Sequence, residues 1–217
     1  MAPRIPSARG PDRDAALAQY RRRASVYDWE LRFLEPIRRL AVARLELSPG
    51  DVVLDVGCGT GLSLPMLRQG VGPKGRIVGI EQSPEMFEQA RRRVSRARWT
   101  RVTLACSPVE DAELRVRADA ALFHFTHDIL RRPEAIANVL GHLKPGARVV
   151  ASGLKWAAPW LVRPVNWLVL PAALRSVTSL EGMHRPWQLL EEQLGPMEVE
   201  ARLLGGAYIA SGVRAST

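Results

Sequence analysis

Three glycines at alternate positions, Gly57, Gly59 and Gly61, follow directly on the apolar run Val52-Val53-Leu54-Asp55-Val56 and precede a helical segment. Glycine at such a turn lets the backbone bend tightly and approach a ligand. Amides at the start of the following helix offer donors to a polar or anionic group. An acidic residue, Asp55, stands at the end of the first strand-like run, and Glu81 ends the next. A carboxylate there can accept two hydrogen bonds from a ribose diol. Together these residues predict an adenosine site at the carboxyl ends of parallel strands. The Gly-x-Gly-x-Gly spacing and the preceding Asp55 depart from the dinucleotide-binding fingerprint.

A second group of reactive side chains lies at the end of a later strand-like run, in His124-Phe125-Thr126-His127-Asp128. His124 or His127 can act there as a base or as an ordinary loop or core histidine. Adjacent residues seldom pair with each other, so Asp128 reads as a helix cap as readily as a partner of His127. Tyr20 and Tyr27 lie a heptad apart and can share one helix face toward the same pocket, or pack in a core. No cluster of His, Cys and carboxylates has the spacing of a metal site, so no metal is expected.

These residues need a scaffold, and the hydrophobic pattern supplies one. Residues 1–14 are rich in Pro, Arg and Gly and read as a loose tail. Residues 15–47 carry apolar residues at spacings near three and four, the signature of two amphipathic helices, the second starting at Pro36. Runs at 52–56, 76–80, 101–105, 118–125 and 148–152 read as strands, with helices near 84–94 and 133–143 between them and a turn at Lys144-Pro145-Gly146. Strands alternating with helices imply an α/β, doubly wound, mostly parallel sheet with helices on both faces. Runs at 197–204 and 207–213, joined by Gly205-Gly206, read as a hairpin, which places one antiparallel strand in the edge region. The chain is thus one domain over residues 15–217, with a segment inserted at 155–192.

Here the sequence resembles the class I S-adenosylmethionine-dependent methyltransferases. The resemblance rests on Val53-Leu54-Asp55-Val56-Gly57-Cys58-Gly59-Thr60-Gly61, Ile77-Val78-Gly79-Ile80-Glu81-Gln82-Ser83-Pro84-Glu85-Met86 and Leu143-Lys144-Pro145-Gly146. It implies a Rossmann-like seven-stranded sheet with the last strand inserted antiparallel, and S-adenosyl-L-methionine as cofactor. It places Gly57, Gly59 and Gly61 against the methionine part, Asp55 at its amino group, Glu81 on the ribose hydroxyls and Met86 on the adenine. Cys58, Gln82, His124 and, from the N-terminal lid over residues 15–47, Tyr20 join the cofactor-binding set. The family's acidic reader of the adenine is replaced by Ser107, and Pro108 lacks an amide donor, which leaves Ser107 and Val109 as the residues nearest that role. His124, His127 and Tyr27 are the candidate catalytic residues.

The acceptor is read from what surrounds this site. No Asn-Pro-Pro-Tyr stands at His124 to His127, and no cysteine follows the fourth or fifth strand, so nucleobase methylation lacks its usual tools. Trp156, Trp160, Trp167 and Trp187 accompany an apolar segment that covers the site in this family, which suits a small apolar or amphiphilic N- or O-acceptor. The Tyr27-Asp28, Glu35-Pro36-Ile37-Arg38-Arg39 and Gly206-Ala207-Tyr208-Ile209-Ala210 stretches look like the ubiquinone-biosynthesis and phospholipid N-methyltransferase branch. A net charge of +9, from 31 Lys and Arg against 22 Asp and Glu, suits peripheral contact with an anionic membrane. The same charge allows an RNA methyltransferase using Arg21-Arg22-Arg23 and Arg91-Arg92-Arg93, although those runs look like solvated helix faces. A cofactor-binding protein without catalysis is the other alternative. Two cysteines, no signal-peptide pattern and prolines within the most apolar stretch point to a cytoplasmic protein.

Overall fold

A computed structural model describes residues 34–157 and 182–215. Tyr20, Tyr27, Trp160, Trp167 and Arg21-Arg22-Arg23 lie outside the described residues. Seven strands form one sheet: β1 (Val52–Val56), β2 (Arg76–Glu81), β3 (Val102–Cys106), β4 (Ala118–His124), β5 (Leu143–Leu154), β6 (Glu198–Arg202) and β7 (Ala207–Val213). Their order is β3-β2-β1-β4-β5-β7-β6. The first five are parallel, and β7 runs antiparallel between β5 and β6. The antiparallel strand is therefore one position in from the edge. The order reverses between β1 and β4, the switch point outside whose carboxyl ends open α/β sheets bind ligands.

The helices are α1 (Glu35–Ala43), α2 (Leu64–Val71), α3 (Pro84–Arg96), α4 (His127–Leu130), α5 (Pro133–Gly141) and α6 (Gln188–Leu194). Pro36, Pro65, Pro84 and Pro133 occupy first turns, where the missing N–H costs nothing. Ile37 and Ala41 of α1 and Leu64, Leu67 and Val71 of α2 cover one face of the sheet, against Val53, Ile77 and Leu122. Ile136 and Val139 of α5 and Leu190 and Leu194 of α6 cover the other, against Leu54, Val56, Phe123 and Val149. Alternate strand residues enter opposite cores, so β1 and β4 are apolar at nearly every position.

Three boundaries differ from the local reading. Lys144-Pro145-Gly146 is a bulge inside β5: pairing with β4 begins at Leu143↔Ala118 and resumes at Arg148↔Ala120, with Gly146 at φ +76°. The hairpin tip is longer than Gly205-Gly206, because Leu203 and Leu204 already adopt left-handed φ of 49° and 52°. The segment expected to be an insertion up to residue 192 ends in α6, which crosses that boundary and contributes Leu190, fully buried, to the core. Leu190→Ala is thus expected to destabilise the protein by about 2–5 kcal/mol in urea unfolding, where a loosely attached cover would lose little.

Candidate functional site

The loop after β1 is held by its own backbone and by its neighbours. The Cys58 amide donates to the Ile80 carbonyl and the Gly61 amide to the Cys58 carbonyl, both at 2.9 Å. Gly57 sits at φ +67°, and a β-carbon there would fall 2.6 Å from Thr126 Cγ2 and 2.8 Å from Ile129 Cδ1. Gly61 answers a different constraint: a β-carbon would meet Leu64 Cδ1 at 2.7 Å and Ala90 at 3.3 Å, so it lets the loop close onto α2 and α3. Arg93 of α3 donates from Nε to the Thr60 carbonyl at 3.1 Å, while Arg91 and Arg92 pair with Glu88. The second arginine run therefore braces this helix and loop.

Glu81 closes the floor. Its Oε2 accepts the Gly59 amide at 2.9 Å and its Oε1 the Ser83 amide at 2.7 Å. Each oxygen keeps a lone pair for a further donor. Burial raises the Glu81 pKa, and the amides of Ser83, Gly59 and Gln82 hold it back. Ser83 caps α3 through the Met86 amide, and Met86 is buried with its sulfur 3.9 Å from where a Gly59 β-carbon would lie. The Ser107 amide donates to the Glu81 carbonyl at 3.1 Å. The Val109 side chain is in the core with Val78 and Ile80, and its carbonyl accepts Asn138 Nδ2 at 2.7 Å.

A cleft opens above the loop, lined by Asp55, Gly57, Cys58, Gly59, His124, Phe125 and, from α1, Arg38. Asp55 is 2% exposed and its Oδ2 has no partner among the described residues. Burial lifts its pKa to about 7, against the pull of Arg38 and with a smaller push from Glu81. Arg38 is 3% exposed, pairs with Glu35 through one nitrogen and leaves Nε without a partner. The sequence does not mark Arg38 as a site residue, since a lone arginine in an amphipathic helix reads as surface. Its signal is position: it falls on the buried face with Ile37, Ala41 and Val42.

His124 Nδ1 lies 2.7 Å from Ser152 Oγ, and its ring meets Phe125 edge-on at 4.7 Å. Burial, reinforced by Arg38, lowers its pKa to about 3. It is therefore a neutral hydrogen-bonding group at ordinary pH and a weak proton acceptor. His127 starts α4, with Thr126 at the N-cap and Asp128 in the first turn, and faces a second cavity on the β5 side. Asp128 is thus a first-turn residue, not the cap. Gly61, Glu81, Gln82, Met86, Ser107, Val109 and His127 lie outside the lining of the cleft itself. No group of three or more potential metal ligands occurs among the described residues. None of the described helices is long and apolar enough to cross a membrane.

Comparison with known proteins agrees with this geometry. Residues 53–146 match the methyltransferase domain model, from β1 to the β5 bulge. An uncharacterized methyltransferase of Synechocystis is 30% identical over 164 residues, covering 75% of this chain and 71% of the relative. The chain belongs to the class I S-adenosylmethionine-dependent methyltransferases. The arsenite methyltransferase of Halobacterium salinarum is 29% identical over 52% of this chain, which spans 30% of that relative's length. The chain similarly spans 46% of the malonyl-[acyl-carrier protein] O-methyltransferase of Anoxybacillus flavithermus, at 28% identity over 57% of its own length. In fold it superposes on the N-methyltransferase NodS of Bradyrhizobium japonicum with a TM-score of 0.65, at 18% identity, over 93% of this chain and 99% of that one.

The site makes two measurable demands. Gly57→Ala should cost about 1–3 kcal/mol in urea unfolding, because it combines a left-handed backbone with contacts on Thr126 and Ile129. Since the raised Asp55 pKa lets the folded protein bind more protons than the unfolded chain between 3.8 and about 7, its contribution to stability falls as pH rises through that window. Melting scans from pH 5 to 7.5 should show a falling midpoint, with a flatter slope in Asp55→Asn.

Proposed function

We propose that the protein transfers a methyl group from S-adenosylmethionine to a small apolar or amphiphilic N- or O-acceptor. The observation that carries this reading is the pair of buried, unsatisfied polar atoms in one cleft, Asp55 Oδ2 and Arg38 Nε. Buried polar atoms are rarely left without partners. An anion acceptor and a cationic donor side by side suit the zwitterionic amino-acid end of the cofactor, its ammonium toward Asp55 and its carboxylate toward Arg38. Glu81 then offers its remaining lone pairs to a diol, and the Gly57–Gly61 loop bounds the chain between these ends.

The cofactor supplies a methyl group already activated on a sulfonium, so the protein's contribution is alignment and exclusion of water. Asp55 accepts from the ammonium, Arg38 donates to the carboxylate, and Glu81 fixes the ribose end. Phe125 and His124 close the cleft where β4 ends, beside the path an acceptor would take. Arg91, Arg92 and Arg93 are engaged with Glu88 and the Thr60 carbonyl, which favours a small acceptor over RNA.

Calorimetry with S-adenosylhomocysteine tests the cofactor half: Glu81→Ala and Arg38→Met should each weaken binding about ten- to hundredfold, the worth of a charge-assisted hydrogen bond. Methyl-labelled cofactor incubated with cell extract tests the acceptor half. Label is expected in the organic-soluble fraction, and label in RNA would overturn the small-acceptor reading.

A further inference from the structure

Cations and acids are unevenly matched over the surface. Arg91, Arg92, Arg115, Lys144 and Arg148 each reach a carboxylate. Lys74, Arg76, Arg96, Arg98 and Arg101 are exposed, and none has an ion pair or a side-chain hydrogen bond among the described residues. They gather at one end of the sheet: Lys74 and Arg76 enter β2, Arg101 enters β3, and Arg96 and Arg98 sit where α3 gives way to β3. Asp51, the carboxylate that enters β1 beside them, is turned to the Ser48 amide at 2.7 Å.

Two of these placements cost stability. Arg76 and Arg101 each precede the register pair Ile77↔Val102, so they open neighbouring parallel strands side by side. Like charges opposite one another on paired strands repel. Arg98 closes α3: its amide donates to the Ser95 carbonyl at 3.0 Å and the Trp99 amide to the Val94 carbonyl at 3.2 Å, the two bonds of a Schellman turn. That turn calls for a left-handed residue, usually glycine, and Arg98 takes the place at φ +52°. Val94 and Trp99 pack against the same core, which holds the turn and its arginine in position. Neither the strain nor the repulsion gains a contact within the described residues, and an anion laid across this end would relieve the second and give the first a partner.

The kind of anion follows from the arrangement. Arginine presents a planar fork that matches phosphate. Cations spread over successive turns suit charge repeated along a chain better than a single ion. None of the exposed large apolar side chains among the described residues lies beside them, whereas a membrane-docking surface joins cations to apolar groups that enter the lipid. We propose that this end of the sheet is a docking surface for a nucleic acid strand, held through its phosphates by Lys74, Arg76, Arg96, Arg98 and Arg101 without regard to sequence. β2 runs from Arg76 here to Glu81 at the cofactor end, a rise of about 16 Å, so a docked strand leaves the cleft open. The strand moors the protein and is not the methyl acceptor.

Fluorescence anisotropy of the full chain with labelled poly-uridine tests the surface. The logarithm of affinity should fall with the logarithm of KCl concentration at a slope of about −3, the release expected from four or five phosphate contacts on a single strand. Replacing three of the cations together, Arg76→Gln, Arg98→Gly and Arg101→Gln, should weaken binding at least about tenfold and flatten the slope to about −1.5. Removing equal charge elsewhere, Arg39→Gln, Arg44→Gln and Arg185→Gln, should leave the affinity within about twofold, and S-adenosylhomocysteine binding should be unchanged in both variants. Arg98→Gly alone should weaken the strand while raising the urea midpoint, since glycine suits the left-handed turn; a purely structural arginine would move both downward. Equal loss in the two triple variants, a lower urea midpoint in Arg98→Gly, or tighter binding to phosphatidylserine vesicles than to poly-uridine would overturn the proposal.

Discussion

Glu81 joins the two loops from which the site is made. One carboxylate oxygen takes the amide of Gly59, in the turn after β1, and the other takes that of Ser83, in the turn after β2. A carboxylate bridging two backbone amides sets the separation of both turns without a side-chain partner that could rotate away. Ser83 in turn caps α3, and α3 sends Arg93 back to the Thr60 carbonyl, so the loop is tied at both ends to the same helix. The glycines are needed because this closure leaves no room: Gly57 abuts Thr126 and Ile129, and Gly61 abuts Leu64 and Ala90.

On that frame, the electrostatics of the cleft follow from burial. Asp55 and His124 share a buried space with Arg38: the carboxyl is pushed toward neutrality by burial, and the imidazole is pushed the same way with help from the guanidinium. Arg38 restrains Asp55 while suppressing the charge on His124. The arrangement keeps one side of the cleft able to meet a zwitterion and the other side neutral.

Much of the scaffold was legible because it is written in local pattern. The strand-loop-helix around Gly57, Gly59 and Gly61, the strand ending at Glu81 and the final hairpin all depend on short-range periodicity and turn chemistry, and each is found where its residues indicate. What misled the local reading were places where long-range pairing overrode it. Lys144-Pro145-Gly146 has the composition of a turn, yet pairing on both sides carries it as a bulge within β5. The segment 155–192 reads as an inserted cover, yet within it Met183 is buried in the core of one face of the sheet and Leu190 in that of the other, where α6 packs beside α5.

By itself, then, the sequence determined the α/β class, the glycine loop and the two acidic strand ends, since backbone conformation and hydrophobic alternation are local properties. Tertiary structure alone decided that Arg38 turns inward from α1 to face Asp55, that His124 meets Ser152 across two parallel strands, and that Tyr208 from an antiparallel strand enters the neighbouring cavity. These residues are separated by tens of positions along the chain. Their partnership arises from the strand order, which no spacing along the chain records.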